Sequence, residues 1–290
     1  FQPDFTWIKD RGTLNTTYNY GHALYDAIRG VTKNLRSNTT GAEETESASL
    51  TAFGADGFTL GSHVGQNENN EGFVAWNWKA NGSGSSNTNG SITSTVSANV
   101  DAGFSIIKYT GTQNSGDTVG HGLSKAPEIH FHKNLDTARN WESYFVNPSD
   151  GSYDYIYLNL TAAKGDFSIA LPTSSLLTLT GSQDSNKSGD EHIAYCFHSV
   201  DGYSKFGSYT GNGSTDGTFV YTGFRPAYVM VKRTNTAENW GVWDNKRDGY
   251  NLTKKFLIPS LSNAEQDGAQ SLDLTSNGFK WRTGDAINNA

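Results

Sequence analysis

The residues best suited to chemistry in this chain are two histidines that alternate along a predicted strand. His130 and His132 are two residues apart, so their imidazoles share one face, the spacing of two transition-metal ligands. A related stretch later in the chain has Val229 and Val231 at these places, and the sequence marks no third ligand. We therefore predict no metal site, and a structural or solvent-facing role for both histidines.

A second candidate is Asp184-Ser-Asn-Lys-Ser-Gly189, which resembles the first half of a calcium loop. Position twelve is Tyr195, where such a loop requires a bidentate glutamate, so an Asx-rich turn is favoured. No pair of carboxylates is marked as an acid and a base, and there is no nucleophile elbow, phosphate loop or dinucleotide fingerprint. The sequence thus predicts no catalytic residue, no cofactor and a protein that is not an enzyme.

Charged pairs recur with one spacing. Asp26 precedes Arg29, and Asp244 precedes Arg247, by three residues, and the middle part of the chain lacks such a pair. We predict a strand that runs into a turn pinned by an ion pair at both places. The alternative is a functional pair.

Exposed aromatic rings on a β-sandwich could stack on sugars while Asn and Asp side chains bind the hydroxyls. The candidates for a carbohydrate-binding role are Trp78, Trp141, Trp240 and Trp243. Three of them lie on repeated strands, so the alternative is that these indoles belong to the core.

The amino-acid composition indicates which kind of secondary structure positions these residues. Of 290 residues only 18% are charged, and Gly, Ser, Thr and Asn supply the polarity, with 32 glycines. That profile is typical of short strands and many turns. The formal net charge of −7 argues against nucleic-acid binding, and no run approaches the ~20 apolar residues of a membrane helix. The single Cys196 excludes an internal disulfide and reads as a small buried hydrophobe.

An internal repeat organises the chain. Pro3–Lys9, Pro127–Lys133 and Pro226–Lys232 share the frame Pro-x-apolar-x-apolar-x-Lys, and Trp141 and Trp240 follow their prolines by the same interval. A strand framed this way loses no ladder hydrogen bond to proline, and we expect its lysine at the solvated end. We expect Trp7, Phe131 and Met230 at equivalent places.

Further blocks recur at matching distances. Gly103–Gly111 resembles Gly202–Gly211, and Asn67, Asn186 and Asn288 each follow a turn-initiated apolar block by nine residues. We predict an all-β fold of tandem antiparallel β-sandwich, jelly-roll-like repeat units, with about eight short strands per full unit. The units are 1–89, without its N-terminal block, 90–199, which is complete, and 200–290, without its last strand. Leu261 to Gln270 could carry a helical turn.

The same motifs resemble a repeat family found in large structural proteins of marine tailed bacteriophages. The resemblance rests on His22–Gly30, Asp56–Gly61, Ala75–Ala80, Gly103–Gly111, Gly120–Leu123, Tyr209–Ser214, Gly223–Val229 and Ser276–Lys280. It implies a role in a tail, a fibre or host attachment, and it carries over no catalytic residue.

These observations define the expected function. We expect a non-enzymatic virion structural protein of the tail-fibre or host-attachment type, located at the virion surface or otherwise extracellular. A carbohydrate-binding, lectin-like module of an extracellular or filament-forming protein is the alternative, and a polysaccharide-cleaving enzyme is a third class. The expected partners are other virion or filament subunits and a host surface glycan, in a homo-oligomer or a longer chain.

Overall fold

The computed structural model describes residues 1–12, 20–147 and 150–290 and shows an all-β, sandwich-like protein of antiparallel sheets, as predicted. Its described helices are two single turns that the sequence did not indicate, Val64–Asn67 (α1) and Gln183–Asn186 (α2). Neither is long and apolar enough to cross a membrane. The helical turn expected within residues 261–270 is not formed, because this segment runs into a long strand.

In the first unit the Pro-to-Lys stretch forms a fully buried strand, Phe5–Asp10 (β1). This strand lies between Ala23–Asp26 (β2) and Phe73–Trp78 (β7), which explains its apolar residues on both faces. The remaining strands are Lys33–Arg36 (β3), Glu44–Thr45 (β4), Leu50–Gly54 (β5) and Gly57–Leu60 (β6). The sheet order is β4-β3-β2-β1-β7, and β5 and β6 form a separate hairpin.

The second unit has ten described strands, against about eight predicted. They are Ser85–Asn87 (β8), Ser94–Asn99 (β9), Phe104–Thr110 (β10), Thr118–Gly120 (β11), Ile129–Asn134 (β12), Glu142–Val146 (β13), Tyr153–Tyr157 (β14), Gly165–Phe167 (β15), Leu176–Thr178 (β16) and Glu191–Phe197 (β17). Eight of them form one sheet in the order β15-β14-β13-β12-β17-β10-β9-β8, and β11 pairs with β16. Because β8 precedes residue 89 yet pairs with β9, the boundary of this unit falls between β7 and β8.

The third unit contains Phe219–Tyr221 (β18), Tyr228–Lys232 (β19), Trp240–Asp244 (β20), Thr253–Phe256 (β21), Gln266–Thr275 (β22) and Gly278–Trp281 (β23). Four of them form a sheet in the order β18-β23-β22-β21, and β19 pairs with β20. The segment 202–211 resembles β10 in sequence, but its described backbone forms no strand.

The registers confirm that the repeated strands are equivalent. Trp7 pairs with Leu24, Phe131 with Ser143 and Met230 with Val242, each at the third position of its ladder. Trp240 pairs with Lys232, and Trp141 directly precedes the residue that pairs with His132, so the two tryptophans also correspond.

One predicted correspondence is off by one residue. Asn67, Asn186 and Asn289 each donate a side-chain hydrogen bond to the carbonyl six residues earlier, namely that of Gly61, Thr180 or Thr283. The third asparagine of the series is therefore Asn289, because the loop after β23 is one residue longer than the sequence comparison assumed. Asn288 is its neighbour.

Alternating side chains divide the core into two kinds. One face of each repeated strand contributes to a central cluster shared by all three units, which contains Phe5, Trp7, Trp141, Tyr195 and Trp240. The opposite face packs against a second layer within the same unit and forms three smaller cores. The units are therefore sandwiches that share a common centre.

The three units close on one another through equivalent backbone hydrogen bonds. In each bond the N–H of the residue directly before β4, β15 or β22 donates to the carbonyl two residues beyond the repeated lysine of the next unit. These bonds run from Glu43 to Leu135, from Lys164 to Thr234 and from Glu265 to Arg11, at 2.9, 2.8 and 2.9 Å. Because the third bond returns to the first unit, the chain forms a closed ring with approximate threefold symmetry.

Candidate functional site

The histidine pair lies inside the second unit and is fully buried. His130 Nδ1 and His132 Nε2 are 2.6 Å apart, His132 Nδ1 is 2.8 Å from the Tyr109 hydroxyl, and His130 Nε2 bonds to the Tyr153 hydroxyl. All four ring nitrogens therefore have protein partners. Within the described ranges, no group of three or more His, Cys, Asp or Glu side chains could hold a metal ion.

Burial decides the charge of these rings. Desolvation lowers the pKa of His130 well below its usual value, and the neighbouring His132 lowers it further. Desolvation also lowers the pKa of His132 to about 3. Both imidazoles are consequently neutral near pH 7. The two histidines are therefore structural residues of the interior and do not face solvent.

A carboxyl group that the sequence did not single out extends this polar cluster. Tyr144 donates its hydroxyl proton to Glu142 Oε2 at 2.5 Å and lies 2.8 Å from Ser185 Oγ. Burial raises the pKa of Glu142. The alternation of Glu142 and Tyr144 along β13 was the available signal. A substrate that reached these groups would have to displace a protein partner.

The two aspartate–arginine turns are buried and nearly identical. Asp26 Oδ2 lies 2.5 Å from Arg29 Nε, and Asp244 Oδ2 lies 2.6 Å from Arg247 Nε. Burial by itself would raise the pKa of Asp244, but the Arg247 guanidinium holds it below the usual value. These contacts agree with the expected turn pinned by an ion pair.

We expected the repeated lysines at the solvated end of each strand, but their ammonium groups bind backbone carbonyls of the protein. Lys133 Nζ donates to the carbonyls of Thr40 and Arg139 at 3.1 and 2.9 Å, and Lys232 Nζ donates to the carbonyl of Thr161. Burial lowers the pKa of Lys133 to about 8. Lys133 is buried and Lys232 is half-buried, because the preceding unit covers the end of each strand and offers carbonyl oxygens to the ammonium group.

Three of the four tryptophans considered for sugar binding are core residues. Trp141, Trp240 and Trp243 expose 0%, 4% and 0% of their surface. Their indole N–H groups donate to the carbonyls of Arg36, Tyr157 and Gln270. A sugar needs a free ring face, so these three carry no glycan site. Trp78 is partly buried and packs against Phe5 and Tyr228.

A crevice at the junction of the first and second units has room for a ligand. It has a volume of about 410 Å³ and is lined by Arg29, Lys33, Ala42, Glu43, Lys108, Leu135, Asp136 and Glu191. Lys108 Nζ lies 2.6 Å from Glu191 Oε2, and Lys33 Nζ lies 3.4 Å from Glu43 Oε1. Paired charges of both signs around an open space can hydrogen-bond a polar ligand such as a sugar.

The fold and the polar clusters define an all-β protein in which three copies of one sandwich unit share a core. The chain belongs to the family described as domain of unknown function DUF7483, whose model matches residues 1–290. No curated protein and no solved structure matches it.

Proposed function

We propose that this protein is a non-enzymatic structural component of a virion surface, of the tail-fibre or host-attachment type. The observation that supports the proposal is that the side chains best suited to chemistry are buried and hydrogen-bonded within the protein. His130, His132, Asp26 and Asp244 are all buried and engaged in hydrogen bonds that hold repeat units together or fill their cores. Such an arrangement favours a rigid building block.

The resemblance of the repeated motifs to structural proteins of marine tailed bacteriophages supports the same role. It suggests other virion or filament subunits as partners, in a homo-oligomer or a longer chain. An acidic chain with a net charge of −7 suits a location outside the nucleic-acid compartment. The virion surface, or another extracellular structure, is the proposed place.

The test is to raise antibodies against the recombinant protein and apply them to particles purified from a culture that carries the gene. We expect peptides of this chain in mass spectra of the particles and antibody label on the tail or fibre in electron micrographs. Unlabelled particles that lack its peptides would overturn the proposal. So would release of reducing ends from host polysaccharide by the purified protein.

Carbohydrate binding by a lectin-like module is the second candidate, and the crevice at the junction of the first two units favours it. Its mixed lining of carboxylates and cations suits a sugar that carries several hydroxyls or a charge. A glycan array separates this function from a purely structural one. Retention of a defined glycan class, lost on Lys108→Glu but not on Lys125→Glu, would support the second candidate.

A further inference from the structure

The junction of the third unit with the first corresponds to the junction of the first unit with the second. We call them the closing junction and the first junction. The Glu265 N–H donates to the carbonyl of Arg11, and the Glu43 N–H donates to the carbonyl of Leu135, both at 2.9 Å. Arg11 and Leu135 each follow the repeated lysine of their strand by two positions. Leu135 therefore occupies at the first junction the place that Arg11 occupies at the closing junction.

The carboxylates at the two junctions are held by equivalent arginines. Arg247 Nη1 lies 3.1 Å from Glu265 Oε2, and Arg29 Nη1 lies 3.3 Å from Glu43 Oε2. Each arginine also binds the aspartate three residues before it and the carbonyl five residues before it. Both junctions therefore contain a glutamate that is paired on one side with a buried guanidinium group.

The second cation at this glutamate differs between the junctions. Arg11 binds Glu265 through two parallel bonds, from Nε to Oε2 at 3.0 Å and from Nη2 to Oε1 at 2.8 Å. Leu135 carries no group that could bind Glu43 in this way. Lys33 Nζ lies 3.4 Å from Glu43 Oε1, which is longer than a charge-assisted hydrogen bond. A bidentate guanidinium group at the closing junction is thus replaced by a distant ammonium group at the first.

The crevice at the first junction lies where this exchange has taken place. Its lining includes Arg29, Glu43 and Leu135, the three residues whose counterparts meet at the closing junction. Its volume of about 410 Å³ lies within the ~300–1,000 Å³ that is typical of small-molecule sites. An open space is therefore present where the equivalent junction contains a guanidinium group.

The charges around the crevice favour a cationic ligand. The lining contains three carboxylates and three cations, namely Glu43, Asp136, Glu191, Arg29, Lys33 and Lys108. Arg29 is also paired with the buried Asp26, so four carboxylates surround three cations. At the closing junction, Asp244 and Glu265 pair with two guanidinium groups. One positive charge brought by a ligand would give the first junction the same balance.

We propose that the crevice binds a guanidinium group, held by Glu43 in the way that Glu265 holds Arg11. The group belongs to a small molecule or to an arginine side chain of a partner protein. It donates two parallel bonds to the Glu43 carboxylate, and Asp136 and Glu191 can accept from its remaining N–H groups. This property of the junction does not depend on a virion role.

The first test titrates the whole protein with ethylguanidinium and with its uncharged counterpart, ethylurea. Calorimetry should show saturable binding of ethylguanidinium at one site and no binding of ethylurea. A blocked Gly-Arg-Gly peptide distinguishes the two sources of the group. Peptide binding at least about tenfold tighter than that of ethylguanidinium would indicate an arginine of a partner protein, and equal binding would indicate a small molecule. Equal binding of ethylguanidinium and ethylurea, or binding of neither, would overturn the proposal.

Two substitutions in the lining should act in opposite directions. Glu43→Gln should weaken ethylguanidinium binding at least about tenfold. The matched control is Glu44→Gln, at an exposed carboxylate that pairs with Arg36, and it should leave binding unchanged. Lys33→Ala removes the cation that competes for Glu43 and should tighten binding about threefold. Weaker binding to the Lys33→Ala variant would overturn the proposal, because a lining that serves an acidic glycan uses this lysine.

Arg11→Ala should open the equivalent space at the closing junction. We expect this variant to bind ethylguanidinium at two sites, and the ligand should raise its melting temperature more than that of the unaltered protein. A folded Arg11→Ala variant with a single site would overturn the equivalence on which the proposal rests. The comparison with ethylurea and the exposed Lys33→Ala substitution decide the matter if Arg11→Ala or Glu43→Gln folds poorly.

Discussion

Trp76 of the first unit donates its indole N–H to the carboxylate of Asp244 in the third unit, at 3.2 Å. The equivalent bond joins the Tyr195 hydroxyl to Asp26 at 2.7 Å. Each carboxylate also binds the arginine of its own turn. A turn that pins its own unit therefore also anchors the last strand of a neighbouring unit, and this double use explains why the pair is buried.

Replacing Asp244 with alanine should reduce the free energy of unfolding by about 3–5 kcal/mol, because the buried Arg247 would keep only Glu265 as a carboxylate partner and the Trp76 indole N–H would lose its acceptor. Urea denaturation measures this change. The control is Asp273→Ala, whose partner Arg282 is half-exposed and whose loss should cost less than about 1 kcal/mol. Equal effects of the two substitutions would contradict a buried structural pair.

A double substitution, Asp244→Leu with Arg247→Met, tests the same pair from the opposite side. Removing both charges also removes the buried guanidinium that has lost one of its two carboxylates, so the double variant should be more stable than Asp244→Ala. A double variant that is less stable than the single one would show that the arginine has stronger partners than Asp244, for example Glu265 at 3.1 Å.

Trp141 and Trp240, whose indoles bond to a neighbouring unit, should contribute more to the free energy of unfolding than the partly exposed Trp78. Trp240→Phe leaves the carbonyl of Tyr157 without its donor, at a cost of about 1–3 kcal/mol, and Trp141→Phe does the same to Arg36. Trp78→Phe is the comparison, since this indole is partly exposed. Thermal and urea unfolding of the three variants should rank Trp78→Phe as the mildest. If Trp78→Phe were not the mildest variant, the indole hydrogen bonds of Trp141 and Trp240 would not be a main source of stability.

Acid should destabilise the protein through its buried histidines. The folded pKa is lowered to about 3 for His132 and about 4 for His192, chiefly by burial. Below the unfolded value of about 6.5, the unfolded chain binds protons that the native state rejects, so stability falls as pH falls. Between pH 7 and pH 5 each such histidine should remove about 2 kcal/mol from the free energy of unfolding.

The control for this pH dependence comes from the third unit. The double substitution His130→Val with His132→Val copies Val229 and Val231 at the same positions. It should reduce the loss of unfolding free energy between pH 7 and pH 5 by the contribution of two histidines. This holds even if the loss of the Tyr109 and Tyr153 hydrogen bonds lowers stability at every pH. An unchanged slope would assign the acid sensitivity to other groups.

Charges that line the crevice should contribute little to folding. The side chains of Lys108 and Glu191 are 28% and 47% exposed, so Lys108→Ala should change the free energy of unfolding by less than about 1 kcal/mol. The same substitution should remove any glycan retention seen on the array. A large loss of stability would instead make Lys108 a structural residue of the junction.

The sequence by itself determined the strands and their equivalence. Composition excluded a helical protein, and the repeated Pro-to-Lys frame placed β1, β12 and β19 and aligned Trp141 with Trp240. It also decided that residues 22–29 form a strand and a turn and not a helix. These are local properties, because alternation along a strand and a fixed spacing to a turn are written in neighbouring residues.

Only the tertiary structure decided which side chains are buried and with whom they pair. Whether Trp141 or Lys133 meets solvent depends on residues of a different unit, about one hundred positions away, that cover the strand end. The same holds for Asp26, whose partner Tyr195 lies 169 positions later in the sequence. Ring closure creates these contacts, and a spacing in the chain cannot specify them because it says nothing about which units become neighbours.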